Sequence, residues 1–252
     1  MDLNLKGNKA LVTGGSKGIG RAIADRLADE GCNVSICARN ADEVNAAVEA
    51  LSAKGVTAFG QAFDVGDADA LKGWIGASAE ALGGIDCVVS NVSGGNAPGE
   101  EGWRANFEYD VLGTVRLVEG SMSNLENSDN ASIVMISSTA ALEKFMGAGA
   151  YNAMKGAMVQ YSGALAQDVG AKGIRVNSIC PGPIYIEGGS WAMIKEHMTP
   201  LYESTLAEIP VGRMGTAEEV AAQVALLASP LGGYTSGTNV VIDGGFTKRI
   251  QF

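Results

Sequence analysis

The sequence predicts an α/β fold, a parallel sheet with helices packed on both faces, from two observations. Short β-branched runs alternate with longer amphipathic ones along the chain, and the clearest short runs are apolar throughout rather than alternating. A strand covered on both faces has no solvent side to mark with polar residues, and flanking helices impose that condition on a parallel sheet. The 252 residues carry no Pro/Ser-rich linker and no fixed-period repeat, so one domain spanning 1–252 is expected.

The first strand, 9–13, runs into Thr13-Gly14-Gly15-Ser16-Lys17-Gly18-Ile19-Gly20, and a helical pattern over 21–30 follows, closed by Gly31. Glycines suit this place because the backbone has to turn tightly and approach a pyrophosphate, whose charge then meets the free N–H groups of the helix start. The spacing is Gly-x-x-x-Gly-x-Gly, a variant of the commoner Gly-x-Gly-x-x-Gly fingerprint of dinucleotide sites. The second strand, 33–38, ends at Ala38-Arg39. The third, 57–63, is followed by Asp64-Val65, a carboxylate placed to accept from an adenine amino group and a valine placed to pack the ring. The fourth, 87–90, is closed by Asn91, and a long helical pattern occupies 103–125. The fifth, 132–137, is closed by Ser137-Ser138, and a helix over 151–169 begins Tyr151-Asn152-Ala153-Met154-Lys155. The sixth, 175–179, leads through Pro181-Gly182 into a segment at about 183–213, and the seventh is 239–242.

Polar residues at the carboxyl ends of successive parallel strands converge on one crevice, where open α/β sheets bind ligands. Tyr151 and Lys155, four apart, share one helix face. Hydride delivery to a carbonyl leaves an oxygen that needs a proton, and a nearby cation helps a phenol to give one up. A serine hydroxyl on the neighbouring strand, Ser138, is then placed to hydrogen-bond the substrate oxygen as its charge develops.

The formal charge of −10 repels phosphate backbones and anionic lipid surfaces, so neither nucleic acid nor membrane is expected as a partner. The four cysteines, Cys32, Cys37, Cys87 and Cys180, have no metal-ligand or disulfide-scaffold spacing and read as core thiols, and no metal site is expected. No apolar leader opens the sequence and no run approaches the ~20 residues that span a bilayer, so a cytoplasmic location is expected.

Over nearly its whole length the sequence resembles the short-chain dehydrogenase/reductase family, in its single-domain branch. The resemblance is carried by Thr13 to Gly20, Asp64-Val65, Asn91, Ser138 with Tyr151 and Lys155, Pro181-Gly182, Gly212-Arg213, and the stretch from Gly237 to Gly245 that ends Val241-Ile242-Asp243-Gly244-Gly245. It implies a Rossmann-type, doubly wound, seven-stranded parallel sheet, with Tyr151 as acid/base, Ser138 orienting the substrate oxygen, and Lys155 holding the nicotinamide ribose and assisting the tyrosine. It also implies that Pro181, Gly182 and Ile184 line the nicotinamide pocket, that Gly14, Ser16, Lys17, Gly18, Ile19 and Gly20 hold the pyrophosphate side, and that the protein is a homotetramer.

Several positions depart from the family pattern. Ser90-Asn91-Val92-Ser93 stands where Asn-Asn-Ala-Gly is usual, and Ile186 stands where a threonine would contact the carboxamide. The family's catalytic asparagine aligns with Asp110, and Asn106 lies one turn earlier on the same helical face. If the asparagine acts through its main-chain carbonyl, Asp110 preserves that function, while its carboxylate near Lys155 would favour the ammonium and alter the pH profile. NADP(H) is expected over NAD(H), because the second strand ends in Ala38-Arg39 rather than in an acidic residue that repels a 2′-phosphate, and Lys17 offers a second cation.

Tyr185, Trp191, Met193, Ile194, His197, Met198 and Tyr202 make the 183–213 segment a plausible cover over the site, with Leu142, Phe145 and Met146 as an opposing wall. An apolar or aromatic ketone is expected, with Ser138, Tyr151, Leu142, Phe145, Tyr185 and Trp191 as substrate contacts. His197, the sole histidine, is expected on a surface helix or against substrate, since Tyr151 already supplies the proton. Two alternatives share these motifs. One is a 3-oxoacyl-thioester reductase of the acyl-carrier-protein type, weakened by the lack of basic residues over 126–130; the other is a non-catalytic dinucleotide sensor or scaffold, opposed by the intact Ser138, Tyr151 and Lys155. The 151–169 and 103–125 helices are apolar around most of their circumference and are expected to be covered on a second side by partner subunits.

Overall fold

A computed structural model describes residues 2–250. Seven strands form one parallel sheet: β1 (Lys9–Thr13), β2 (Asn33–Ala38), β3 (Ala58–Ala62), β4 (Cys87–Ser90), β5 (Ser132–Ile136), β6 (Arg175–Pro181) and β7 (Asn239–Ile242). The helices are α1 (Gly18–Asp29), α2 (Ala41–Ser52), α3 (Ala68–Leu82), α4 (Gly99–Asn106), α5 (Gly113–Leu125), α6 (Ala150–Val169), α7 (Ser190–His197), α8 (Thr199–Ala207) and α9 (Ala217–Ala228). Strand order β3-β2-β1-β4-β5-β6-β7 means that the chain winds outward from β1 to one edge, returns to β4 and winds to the other edge. The reversal between β1 and β4 opens a crevice at their carboxyl ends.

Both faces of the sheet are dry. On one, Ile23 and Leu27 of α1, Val44 and Leu51 of α2, and Val220 and Val224 of α9 pack on Val12, Val34, Ile36 and Val134. On the other, Leu71 and Trp74 of α3, Leu117 and Leu125 of α5, and Met158 and Val169 of α6 pack on Leu11, Val88, Ile133 and Val176. The apolar runs that predicted two-sided burial are thus explained, and the expected doubly wound sheet is the observed one. β3 and β7 are the exceptions that the same logic predicts: as edge strands they are only partly buried, and β3 is shorter than the 57–63 of the sequence. β5 ends one residue earlier and β6 two residues later than read from the sequence, because Cys180 and Pro181 still pair with Val241 and Ile242.

Arg175 shows how α9 is fixed to the sheet. Its buried guanidinium donates to the carbonyls of Leu227, Ala228 and Ser229 at the end of α9, to that of Gly232 beyond it, and to the Asn130 side-chain oxygen before β5. A cation there meets the negative end of the helix dipole and satisfies carbonyls that the helix leaves free. All four cysteines are buried, as expected. Burial pushes the Cys37 thiol up to about 12 and that of Cys87 up to about 11, so neither is a thiolate near neutral pH.

The stretch read as one helix over 103–125 is three pieces. Between α4 and α5 the chain widens into a π-helical turn over Phe107–Leu112. Such an inserted turn commonly marks a functional site.

Candidate active site and nucleotide groove

The crevice is built first from the turn joining β1 to α1. Gly14 and Gly18 take φ of 66° and 61°, in the left-handed region that favours glycine. A Cβ on Gly20 would lie 2.3 Å from the Gly14 carbonyl oxygen and 2.5 Å from Asn91 Nδ2, so only glycine lets α1 start this close to the turn. Asn91 closes the other side: its backbone N–H donates to Thr13 Oγ1 and its Nδ2 to the Thr13 carbonyl, each at 3.0 Å. The residue after β4 is thereby tied to the end of β1.

Beside this turn lies a groove of about 620 Å³ lined by Gly14, Ser16, Lys17, Arg39, Asp64, Val65 and Asn91, among others. Seven sequence candidates therefore share it, while Gly18 and Gly20 shape the turn and are absent from its lining. Of the lining residues that escaped the sequence reading, two bear on its chemistry. Tyr109 donates its phenol to Asp64 Oδ2 at 3.1 Å, and burial, followed by that carboxylate, raises the phenol above its ordinary value. Glu43 accepts from Ser16 Oγ at 3.1 Å and lies 3.5 Å from Lys17 Nζ, so one of the two expected phosphate cations already faces a carboxylate. The signal was present: Asn40 and Glu43 have the spacing of a helix N-cap and its third residue, and the Asn40 side chain does accept from Glu43 N–H.

A second cavity, of about 280 Å³, adjoins the first, and Asn91 and Ser93 line both. Ser138, Tyr151, Lys155, Pro181, Gly182 and Ile184 line it together, and so does Ile19, which the sequence had assigned to the pyrophosphate side. Ser138 follows β5 and caps a short 3₁₀ turn, its hydroxyl accepting from Ala140 N–H at 3.1 Å. Tyr151 and Lys155 stand on the first turns of α6, with Lys155 Nζ 5.8 Å from the Tyr151 ring centre.

Lys155 is 2% exposed and clamped. Its ammonium donates to the Ile136 carbonyl at 2.9 Å and sits 2.9 Å from Oδ1 of Asp110, itself fully buried in the π-helical turn. Oδ1 receives no aligned hydrogen bond, so the contact is an ion pair by proximity. Oδ2 accepts from Gly94 N–H at 2.8 Å and from Ser93 Oγ at 3.3 Å, and the Asp110 carbonyl accepts from Thr114 Oγ1 at 2.6 Å. The carboxylate, rather than the carbonyl alone, is what Asp110 presents to Lys155. Asn106, also fully buried, donates from Nδ2 to the carbonyls of Gly95 and Gly102, so both polar residues of the helix face hold the loop after β4.

On the outer side, Phe145 and Trp191 line the cavity with ring centres 6.2 Å apart, joined by Met146, Ile194, Ile186 and Phe246. Tyr185 and Leu142, expected as substrate contacts, are not part of the lining. The chain from Pro183 to Tyr185 pairs with Gly215 in extended form, so Ile184 and Ile186 face the cavity and Tyr185 between them faces away, edge-on to Tyr202 at 6.4 Å. Leu142 ends the 3₁₀ turn. His197 is 65% exposed, on α7 as expected of a surface helix. Phe246 was missed because it follows the last recognisable motif by one residue and nothing local marks it.

A family model described as enoyl-(acyl carrier protein) reductase matches residues 14–247. The chain is 39% identical to the isoepoxydon dehydrogenase of Penicillium expansum, over 98% of each protein. It is 32% identical to the dehydrogenase/reductase SDR family member 4 of Oryctolagus cuniculus, over 96% of this chain and 94% of that protein. Among solved structures, the L-sorbose reductase of Gluconobacter frateurii, in complex with NADPH and L-sorbose, superimposes with a TM-score of 0.91 at 29% identity, covering 99% of this chain and all of that one.

Proposed function

The chain belongs to the short-chain dehydrogenase/reductase family, enzymes acting between CH–OH and C=O groups with NAD(P), and on that premise we propose that it is an NADP(H)-dependent oxidoreductase of a small, uncharged ketone and its secondary alcohol. One observation carries the proposal: Ser138, Tyr151 and Lys155 line one cavity that adjoins the glycine-turn groove through Asn91 and Ser93. The residues present suit a dinucleotide, since Gly20 leaves no room for a side chain between turn and helix, and the groove and cavity adjoin. When bound, the nicotinamide gives or accepts the hydride. Ser138 donates its hydroxyl hydrogen to the substrate oxygen. Tyr151 gives its phenolic proton to that oxygen in reduction and takes it back in oxidation. Lys155, fixed by Ile136 and Asp110, holds a positive charge beside the phenol and supplies a donor for a ribose hydroxyl.

Arg39 and Lys17 favour NADP(H), with Glu43 opposing them on the same rim. The rings and thioether of Phe145, Trp191, Met146 and Phe246 suit an apolar or aromatic skeleton, and the modest volume suits a small one. The 183–213 segment acts as its cover. Similarity to an isoepoxydon dehydrogenase adds that alcohol to the substrates worth testing. No described helix is long and apolar enough to cross a membrane, and a cytoplasmic homotetramer fits the reading.

Absorbance of NADPH, followed with cyclic and aromatic ketones and, in the reverse direction, NADP⁺ with isoepoxydon, tests the assignment. Turnover is expected with at least one, and Tyr151→Phe should lower it by about 10²–10⁴-fold, the usual contribution of a positioned proton donor. Equal turnover in that variant, or none in the parent, defeats it and favours the sensor alternative.

A further inference from the structure

The chain beyond β7 returns to the substrate cavity, held there by its own capped turn, by backbone groups of the cover segment and by one side chain of the opposite wall. Gly244 and Gly245, both left-handed with φ of 63° and 83°, turn it sharply after Asp243. The Asp243 carboxylate caps the turn, accepting from Gly245 N–H, Thr247 N–H and Thr247 Oγ1 at 2.7–2.9 Å. Burial alone would raise this carboxyl, but those donors outweigh it and hold it below the usual range. The cover segment joins in, with Val211 N–H donating to the Gly244 carbonyl and Lys248 Nζ to the Glu208 carbonyl.

The last anchor comes from the opposite wall. One oxygen of Glu143, Oε1, accepts from two successive backbone amides, Lys248 at 2.8 Å and Arg249 at 2.6 Å. Phe246 lies between the capped turn and these pinned amides, so its backbone is fixed on both sides, and its side chain lines the cavity. Glu143 precedes Phe145 and Met146 by two and three residues, so the same pin joins the tail to the wall made by those side chains.

We propose that Phe246 determines the upper size of the substrate and that Glu143 is the positioning residue that keeps it in place. The proposal rests on the oxidoreductase assignment above and adds a substrate limit: compact rings are accepted, and skeletons extended toward the tail are rejected. Apolar pocket walls of this kind discriminate by about 10–200-fold per methylene-sized change, so losing a whole ring should be visible in a ratio of specificity constants. Glu143 contributes no atom to the cavity, and its effect passes through the tail.

The full-length enzyme with NADPH is assayed on cyclohexanone and on 4-phenylcyclohexanone. Phe246→Ala should raise the ratio of kcat/KM for the larger ketone to that for the smaller by about tenfold. Glu143→Ala should shift the ratio in the same direction, whereas Glu143→Gln, which keeps an acceptor oxygen, should return it toward the parent value. A ratio unmoved in Phe246→Ala, or a Glu143→Ala variant that slows both ketones equally, overturns the proposal. Hydrogen exchange supplies a readout independent of turnover. Protection of the Lys248 and Arg249 amides should be lost in Glu143→Ala and kept in Glu143→Gln, and protection retained in both refutes the pin. A parent enzyme that reduces no ketone but shows this exchange pattern defeats the oxidoreductase assignment and leaves the pin standing.

Discussion

Coenzyme choice turns on three side chains around one rim. Arg39 and Lys17 offer cations where a 2′-phosphate would sit, and Glu43 sets a carboxylate 3.5 Å from Lys17. Lys17 is 79% exposed, so that pair is worth little in water, and the lysine is free to exchange Glu43 for a phosphate. The expected outcome is a lower Michaelis constant for NADPH than for NADH. Glu43→Gln should widen that preference, and Arg39→Ala should narrow it by about 1.5–3 kcal/mol, the range for a hydrogen bond to a charged group. A lower constant for NADH in the parent enzyme contradicts the assignment. The cations were legible in the sequence because they flank the glycine turn and the second strand. For Glu43 the sequence offered only its place in a helix-cap pattern with Asn40, because its approach to Ser16 and Lys17 depends on how α2 packs beside β2.

At the scale of elements, the π-helical turn between α4 and α5 is the feature with most chemical consequence. A regular helix was the natural reading of 103–125, since hydrogen-bond register leaves no mark on an apolar periodicity. The inserted turn carries Asp110 fully buried against Lys155. Two charges this deep are costly to desolvate, and removing one leaves the other without compensation, at about 3–5 kcal/mol. Asp110→Ala should therefore lower stability by that amount. Asp110→Asn retains an acceptor for the Gly94 amide and should fold, yet it removes the carboxylate beside Lys155. Its pH–rate curve for kcat/KM should be displaced from that of the parent, and coincident curves would show that the charge has no part in proton transfer. The identity of residue 110 was readable from alignment with the family pattern. The carboxylate beside Lys155 was readable too, and what the sequence did not state is the π-helical turn that carries it there.

Across the whole molecule, the parallel sheet, the crevice and the Tyr151–Lys155 pair were foreseeable, since two-sided burial and strand-end placement are written in local composition, whereas the order of the strands is not. The apolar circumference of the 103–125 and 151–169 helices pointed to partner subunits but not to a second contact, and two separate surfaces now bear on assembly. On one side, Trp103 and Phe107 are each 46% exposed, and Ala153, Ala157 and Ala164 of α6 face outward. On another, β7 is an open edge strand, and Leu231 and Tyr234 before it are 50% and 104% exposed. Open edges and exposed aromatic clusters invite pairing. A single two-fold contact covers one of these surfaces and yields a dimer, whereas two different two-fold contacts close only with four copies. Each copy brings a charge of −10, so apolar contact has to overcome mutual repulsion and association should strengthen with salt. Sedimentation equilibrium at moderate ionic strength should give about four times the 25.8 kDa of one chain. Trp103→Asp, at a position exposed in the single chain and so harmless to its folding, should reduce the assembly to a dimer through the β7 side. A parent protein that sediments as a monomer would leave both surfaces without a partner of its own kind.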